Sequence, residues 1–547
     1  MNRKKKAPLL FLLAVVLLAL YVVIESVNLN PLYREGAFFW GLVLSVFLLI
    51  ITFLRNGALF QMRQENGDNP FGAFRLTVPR WTIVSFLVIW GFILVMSVIS
   101  SPLISWNAYR NQLGQPEIKT FSDDMQAVDL SQVPIVDRDL AYNLANKKLG
   151  ERPGLGSQAV LGEPTIQQVN GELVWVVPLY HSGFFKWITN LEGTPGYIVV
   201  SATNVNDVTY VEDYPIKYQP NGYFFDNLTR YVRFTSSLFQ GITDYSFELD
   251  DSGQPYWVVT TYRNRAGFSL PEATGAVVIN ATTGQWERYT LETIPDWVDR
   301  VQPEEFILNQ IDNSGLYIHG IFNFSNRDKY QTSEGHAIIY NNGQCYLFTG
   351  LTSVGSDDSA IGFIMVDMVT KEAYRYQIAG ATERAAQDSA EGKVQNYGYK
   401  ATFPLIINLD GQPTYFMSLK DTDAGLIKQY AFVSVVNYSI VGTGETISAA
   451  LADYNQALRD GGISSDFSSQ ETEETITGTV SRIASEYNGS ETVYKLLLEG
   501  EDGIFLASAS LSHELALTQP DDRVTLQCYR SGDNSSYRVT SFDNLSF

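Results

Sequence analysis

Long uncharged apolar runs fill the first hundred residues of this chain, and short runs of aromatic and β-branched residues fill the rest. PLLFLLAVVLLALYVVI at 8–24, AFFWGLVLSVFLLIITFL at 37–54 and WTIVSFLVIWGFILVMSVISSPL at 81–103 contain no charge. Each is close to the ~17–25 residues that a bilayer-spanning helix needs. The pattern predicts three transmembrane helices. The first run follows Arg3, Lys4, Lys5 and Lys6 as a signal peptide would, but no small-residue cleavage site follows Ile24 and two more runs arrive. Arg55, Arg63, Arg75 and Arg80 in the second loop, against Arg34 alone in the first, predict a cytoplasmic N-terminus and second loop, with everything after Leu103 extracytoplasmic. The bilayer is then the first expected partner, in a bacterial plasma membrane.

Past Leu103 the polarity pattern repeats. VNGELVWVVPLY at 169–180, DSGQPYWVVTTY at 251–262, NNGQCYLFTGL at 341–351 and LDGQPTYFMSLK at 409–420 each place a turn before a run of strand-forming residues. The second residue of each turn, Gly171, Gly253, Gly343 or Gly411, supplies a positive φ. A further strand follows each hairpin, as in GAVVINATTGQWERYTLE at 275–292 and GFIMVDMVTKEAYRYQ at 362–377. Before each lies a stretch with helical spacing: DLAYNLANKKLG at 139–150, FDNLTRYVRFTSSLF at 225–239, PEEFILNQI at 303–311, and ATERAAQDSAEGKVQ at 381–395, with Thr382 as N-cap. A helix laid on a small antiparallel sheet buries the sheet's apolar face. The marker glycines lie 82, 90 and 68 residues apart, which predicts tandem globular units rather than a regular solenoid.

The expected fold class is α+β: an anchor of three helices at 1–103 and a stalk at 104–137. Four helix-plus-antiparallel-sheet units follow at 138–222, 223–300, 301–378 and 379–460, then a flexible linker at 461–475 and a small β-barrel at 476–547. The linker reads GGISSDFSSQETEET, without core-forming residues. GAVVINATTG and GFIMVDMVTK resemble the PepSY-like group of small extracytoplasmic domains, in which the last strands read glycine, two apolar residues, an aspartate or asparagine, then Thr-Gly. The resemblance covers about 139–445; the first unit keeps only GYIVVSATN and the fourth departs from the pattern. It implies cell-envelope modules that regulate peptidases or assist assembly and are not themselves enzymes. The last segment, opening on GTVSRI and closing on DDRVTLQCY and YRVTSFDNL, resembles an OB-type barrel.

Charge narrows the partners. The chain carries 38 basic and 59 acidic residues. Nine basic and four acidic residues fall in 1–102, so the remainder, with 29 basic against 55 acidic, stands at −26. That balance argues against nucleic acid, and the barrel lacks the basic, aromatic groove that single strands need. Two cysteines, Cys345 and Cys528, make no disulfide framework.

No nucleophile elbow, phosphate loop, His-Glu-x-x-His or dinucleotide fingerprint occurs. His181 and Ser182 are sequence neighbours without a base geometry. His319 and His336, near Glu334, are too few for a metal site, and Asp357, Asp358, Asp421 and Asp423 lack the alternation of a calcium loop. No catalytic residue, metal or cofactor is expected. The stretch GFFKWITNLEGTPG at 183–196 places Phe184, Phe185, Trp187 and Ile188 where a polar loop would stand, and these four are the expected partner-binding residues.

The reading that follows is a non-catalytic, membrane-anchored cell-envelope scaffold or regulator. Its units bind other envelope proteins, with self-association also open. Alternatives are a wall-carbohydrate-binding protein, which predicts aromatic side chains along an exposed face, an accessory subunit of a secretion or transport machine, and a hydrolase with a deep cleft of convergent acidic or histidine side chains.

Overall fold

The computed structural model describes Arg3–Phe547 except at 57–59, 63–73, 77, 127–128, 131, 153, 410, 423–424, 461–472, 488–491, 502, 510 and 531–535. The expected linker at 461–475 therefore lies outside the described residues as far as 472, and Asp423 falls outside them as well. Two compact units result, Met1–Tyr454 and Asn455–Phe547.

The first unit opens with three helices: α1 (Arg3–Glu25), α2 (Arg34–Asn56) and α3 (Arg80–Ile99). The expectation of three spans is corrected here. Among the described residues two helices are long and apolar enough to cross a membrane, over Arg34–Phe53 and Arg80–Ile99. In α1 the basic cluster is part of the helix, and the described apolar stretch, Leu12–Glu25, is shorter than a span.

Four open sheets follow, each an antiparallel meander. The first comprises β1 (Thr165–Val169), β2 (Glu172–His181), β3 (Tyr197–Ser201) and β4 (Val208–Val211). The second comprises β5 (Gly241–Leu249), β6 (Pro255–Ala266), β7 (Ser269–Asn280) and β8 (Trp286–Thr290). The third has β9 (Ala337–Asn341), β10 (Gln344–Ser353), β11 (Ser356–Asp367) and β12 (Ala373–Tyr376). The fourth has β13 (Leu405–Leu409), β14 (Gln412–Lys420), β15 (Ile427–Ser434) and β16 (Val441–Gly444). Asn170-Gly171 and Asn342-Gly343 turn two of the hairpins with both φ positive, the type I′ geometry that matches strand twist. Gly253 and Gly411 also have positive φ.

Helices sit beside the sheets: α4 (Pro102–Arg110) just after α3, α5 (Arg138–Gly150), the short α6 (Phe184–Thr189), α7 (Leu228–Thr235), α8 (Glu304–Leu316), α9 (Glu383–Lys393) and α10 (Ile447–Asp460). Asp137, Asn227 and Thr382 cap α5, α7 and α9 through side-chain oxygens.

The sheets do not own separate cores, which corrects the expectation of independent tandem units. Val176 and Tyr197 of the first sheet pack with Phe247, Trp257 and Val277 of the second. Phe348 and Phe363 of the third pack with Tyr415, Met417 and Val433 of the fourth. Val258 and Val278 meet Val301 and Val369 between the second and third, and Ile427 of β15 joins Leu140 and Val177 between the fourth and first. The sequence reason is that the central strands are apolar on both faces: Trp257–Thr261 is buried without a break, where a one-sided sheet would alternate. Packing therefore closes around a ring, and the strand order from its axis outward is that of propeller blades.

Residues 104–137, expected as a polar stalk, are woven into this body. Glu117–Lys119 adds a strand parallel to β12, and Phe121 and Met125 enter the core between the third and fourth sheets. In the second unit β17 (Glu473–Tyr487), β18 (Thr492–Leu498), β19 (Ile504–Ser508), β20 (Arg523–Arg530) and β21 (Ser536–Asn544) pair in a closed order around Val480, Phe505 and Leu526.

Candidate functional site

Each meander begins at its inner strand. Among the described residues β1, β5, β9 and β13 pair with a neighbour on one side only, and residues of all four line a cavity of about 800 Å³ where the sheets meet. Ile166, Trp175, Ile338, Leu405 and Phe416 give it apolar walls. The N-terminal turns of α5 and α8 also open onto it.

Its polar side is built from three places in the chain. Arg300, in the segment leading into α8, pairs with Glu304 one turn on. His336 Nε2 lies 2.7 Å from the other Glu304 oxygen. Burial alone would raise the Glu304 carboxyl, but the His336 hydrogen bond and the Arg300 charge outweigh it and bring it down to about 2. The first turn of a helix favours such a carboxylate as well. Asp244 completes the group. In β5 the register shifts between Val259 and Thr260 of β6, so that Asp244 stands unpaired with φ +47. A bulge re-aims a side chain in this way. Asp244 itself is exposed, but the protein crowded around it disfavours its charge and raises the carboxyl, with Arg300 opposing. Glu304 is thereby held as a charged acceptor facing two donors, while Asp244 beside it is shifted the other way.

Behind the cavity lies a junction of three sheets. Glu248 Oε2 of β5 accepts from the Asp299 backbone N–H at 2.9 Å, and Asp299 Oδ2 accepts from Gln168 N–H at 2.8 Å and from the Tyr340 hydroxyl at 2.9 Å. Burial, aided by the Asp299 charge, pushes Glu248 up to about 8, and burial pushes Asp299 up to about 6.

The structure separates the other side chains singled out in the sequence. His319 pairs with Asp328 at 2.8 Å, Glu334 with Arg384 at 2.6 Å, and His336 with Glu304, so the two histidines serve different carboxylates. His181 is buried with its ring lowered by burial, Asp226 opposing, while Ser182 Oγ donates to Ser157 O. Asp357 and Asp358 lie within β11, with side chains outside the described residues.

Phe184, Phe185, Trp187 and Ile188 form α6 and divide by role. Trp187 is buried against Tyr223 and Phe224, its Nε1–H donating to Asp226 Oδ2 at 2.8 Å. Phe185 is 80% exposed, and Phe184 and Ile188 are exposed beside it. Sequence reasoning missed the cavity cluster because no short motif joins Asp244, Arg300, Glu304 and His336. The available signal was local: Thr243-Asp244 breaks the apolar alternation of ITDYSFEL.

No family model matches the chain, and no curated protein matches it. Among solved structures it is similar to a mutant levansucrase of B. megaterium, at 9% identity over 77% of this chain and 98% of that one, with a TM-score of 0.20, a likeness too slight to bear on fold or activity.

Proposed function

We propose that this chain is a non-catalytic, membrane-anchored cell-envelope scaffold or regulator that holds an extended segment of another envelope protein in its axial cavity. The observation that carries this reading is the convergence of four one-sided inner strands on a single cavity. Such edges offer backbone donors and acceptors that an added strand can pair. The acidic and basic side chains at its mouth then select the segment.

Anchoring is supported by α2 and α3. Only 28% of the Arg34–Phe53 stretch and 11% of Arg80–Ile99 is buried within the protein, so a core-helix role leaves most of their apolar surface in water. Each Å² so exposed costs about 25 cal/mol. Residues just before α2 and just after α3 both bond to the second sheet: Tyr33 OH donates to Tyr262 O, and Phe268 N–H to Ser100 Oγ. A hairpin of two spans thus leaves the sheet body on one face of the bilayer. The arginines of the connecting loop favour the opposite, cytoplasmic face for that loop, and an extracytoplasmic body.

A photoreactive residue at Ile338 or Leu405 in the full chain, crosslinked in cells, tests the reading. Crosslinks to one segment of a defined envelope protein support it; crosslinks confined to this chain sink it. A second reading, a wall-carbohydrate-binding protein, is favoured by one feature. Tyr256, Trp286, Tyr289 and Trp297 line a depression of about 690 Å³ on the second sheet together with Gln285 and Glu287. Saturation-transfer NMR with soluble wall glycan fragments decides it: transfer lost in Trp286→Ala upholds that reading, and absence of transfer removes it.

A further inference from the structure

The exposed phenylalanines of the first unit have one thing in common outside α1–α3. Among the described residues they all lie on segments bonded or packed against the feet of the apolar helices.

Phe184 and Phe185 continue through Trp187 and Tyr223 into Phe224 and Phe225, which are 66% and 52% exposed. Arg230 fixes this cluster to the end of α1. Its guanidinium donates to Phe224 O at 2.5 Å, to Val23 O at 2.8 Å and to Ile24 O at 2.9 Å. Phe239, also exposed, is held to the α1–α2 turn by Asn30 Nδ2, which donates to its carbonyl at 2.8 Å. On the α3 side, exposed Leu103 and Ile104 begin α4. Tyr109 of α4 meets Tyr317 edge-on at 5.7 Å, and the Trp106 ring lies against Gly320. The turn that follows carries Phe322 and Phe324, 77% and 84% exposed.

Seven exposed aromatic rings gathered at helix ends, on a chain whose remainder is strongly acidic, need an apolar neighbour that is itself continuous with those helices. We propose that Phe184, Phe185, Ile188, Phe224, Phe322 and Phe324 form an aromatic skirt that sits in the interfacial layer of the bilayer, laying the ring of sheets against the membrane instead of holding it above. The occupant is lipid. Phenylalanine and leucine gain from partial immersion, and aromatic side chains gather at this depth. Lys186 of α6, exposed among them, suits an anionic headgroup. This assignment differs from the protein-partner role expected for Phe184, Phe185, Trp187 and Ile188: Trp187 is a buried strut, and the other three face lipid. It rests on the reading of α2 and α3 as membrane spans.

Site-directed spin labels on the full chain, reconstituted into vesicles of phosphatidylcholine and phosphatidylglycerol, test it. Labels are placed one at a time at Phe185→Cys, Phe324→Cys, Leu94→Cys in α3 and Tyr397→Cys at the exposed turn after α9. Accessibility to oxygen and to a water-soluble nickel chelate is then compared. The skirt requires that positions 185 and 324 resemble position 94, with nickel accessibility several-fold below that at 397. If 94 is shielded while 185 and 324 are as open to nickel as 397, the skirt is overturned and the spans stand. If 94 itself is open to nickel, the span reading fails and the skirt falls with it. Cys345 and Cys528 are buried, which leaves the introduced thiol as the labelled one.

Discussion

Two carboxyl groups in contact at the junction of three sheets make the ring sensitive to pH, Glu248 over the wider range and Asp299 below about 6. Glu248 sits with no exposure, its folded value near 8 against about 4.5 in the open chain, and Asp299 shifts the same way. Between those two values the folded protein holds a proton that the unfolded chain has released. Stability from Glu248 is therefore complete below about pH 4.5 and declines as pH rises through about 8. Glu248→Gln keeps the acceptor for Asp299 N–H without the ionisation. Its melting temperature is expected to equal or exceed that of the parent at pH 8.5, and the parent's downward slope between pH 5 and 8 should flatten; an unchanged slope would show that Glu248 is not the titrating group. Gly275 is constrained by space instead of charge. Its φ is +148, and an added Cβ would stand 2.0 Å from Tyr289 O, a backbone atom of the next strand. Gly275→Ala is expected to cost upward of about 2 kcal/mol in denaturant unfolding, because neither the dihedral nor the carbonyl can give. Residue by residue, the sequence was readable where chemistry is local. The hairpin glycines declare positive φ, and Thr382 declares a cap. Asp244 was not readable, since its role comes from a bulge in the opposing register, and no spacing in the chain announces where Arg300 and His336 meet.

Elements carry the link between the N-terminal helices and the sheet body. Arg233 of α7 is 5% exposed, and its guanidinium donates to Ser26 O, Ser237 O and Gln240 O. It ties the end of α1 to the entry of β5, and burial lowers its pKa. Arg233→Met fills the volume but takes the guanidinium away from three carbonyls, of which Ser237 O keeps the Gln240 N–H and Gln240 O keeps the Asn28 amide, while Ser26 O loses its side-chain donor. A loss of about 2–4 kcal/mol is expected, together with faster proteolysis within 26–33. Arg230→Met, at a more open site, should cost less and act chiefly on the placement of Phe224. Equal effects of the two changes would mean that the buried guanidinium is not the main tie. The strand-forming runs of the four hairpins were legible as elements because turn chemistry brackets them. The apolar helices were legible as uncharged runs; among the described residues two of them, Arg34–Phe53 and Arg80–Ile99, have the length and composition of a span, and Leu12–Glu25 is shorter. Residues 104–137 misled for another reason. Prolines and polar residues hide the few apolar anchors, Phe121, Met125, Val133 and Val136, that draw this segment into the body.

At the scale of the whole molecule, the shared cores decide how the protein unfolds. Repeats with private cores melt independently, and four units would give four weakly coupled transitions. Here each sheet lends one face to each neighbour, and the ring is fastened where it closes: Lys420 of β14 pairs with Asp137 at 2.6 Å, and Ser418 Oγ donates to Ile135 O at 3.1 Å. Removing any one sheet bares apolar faces on two others, a loss that no single unit can meet from its own burial. The first unit is therefore expected to melt in one transition, with calorimetric and van't Hoff enthalpies in agreement, and the second unit, with its own core around Val480, Phe505 and Leu526, in another. Deleting 473–547 should remove one transition and leave the other at its temperature. Deleting 379–460 should abolish the first transition altogether instead of leaving three sheets folded. Survival of a cooperative transition after that second deletion would show that the sheets are autonomous modules on a string, and would remove the axial cavity, which needs all four inner strands, as a place where a partner could bind.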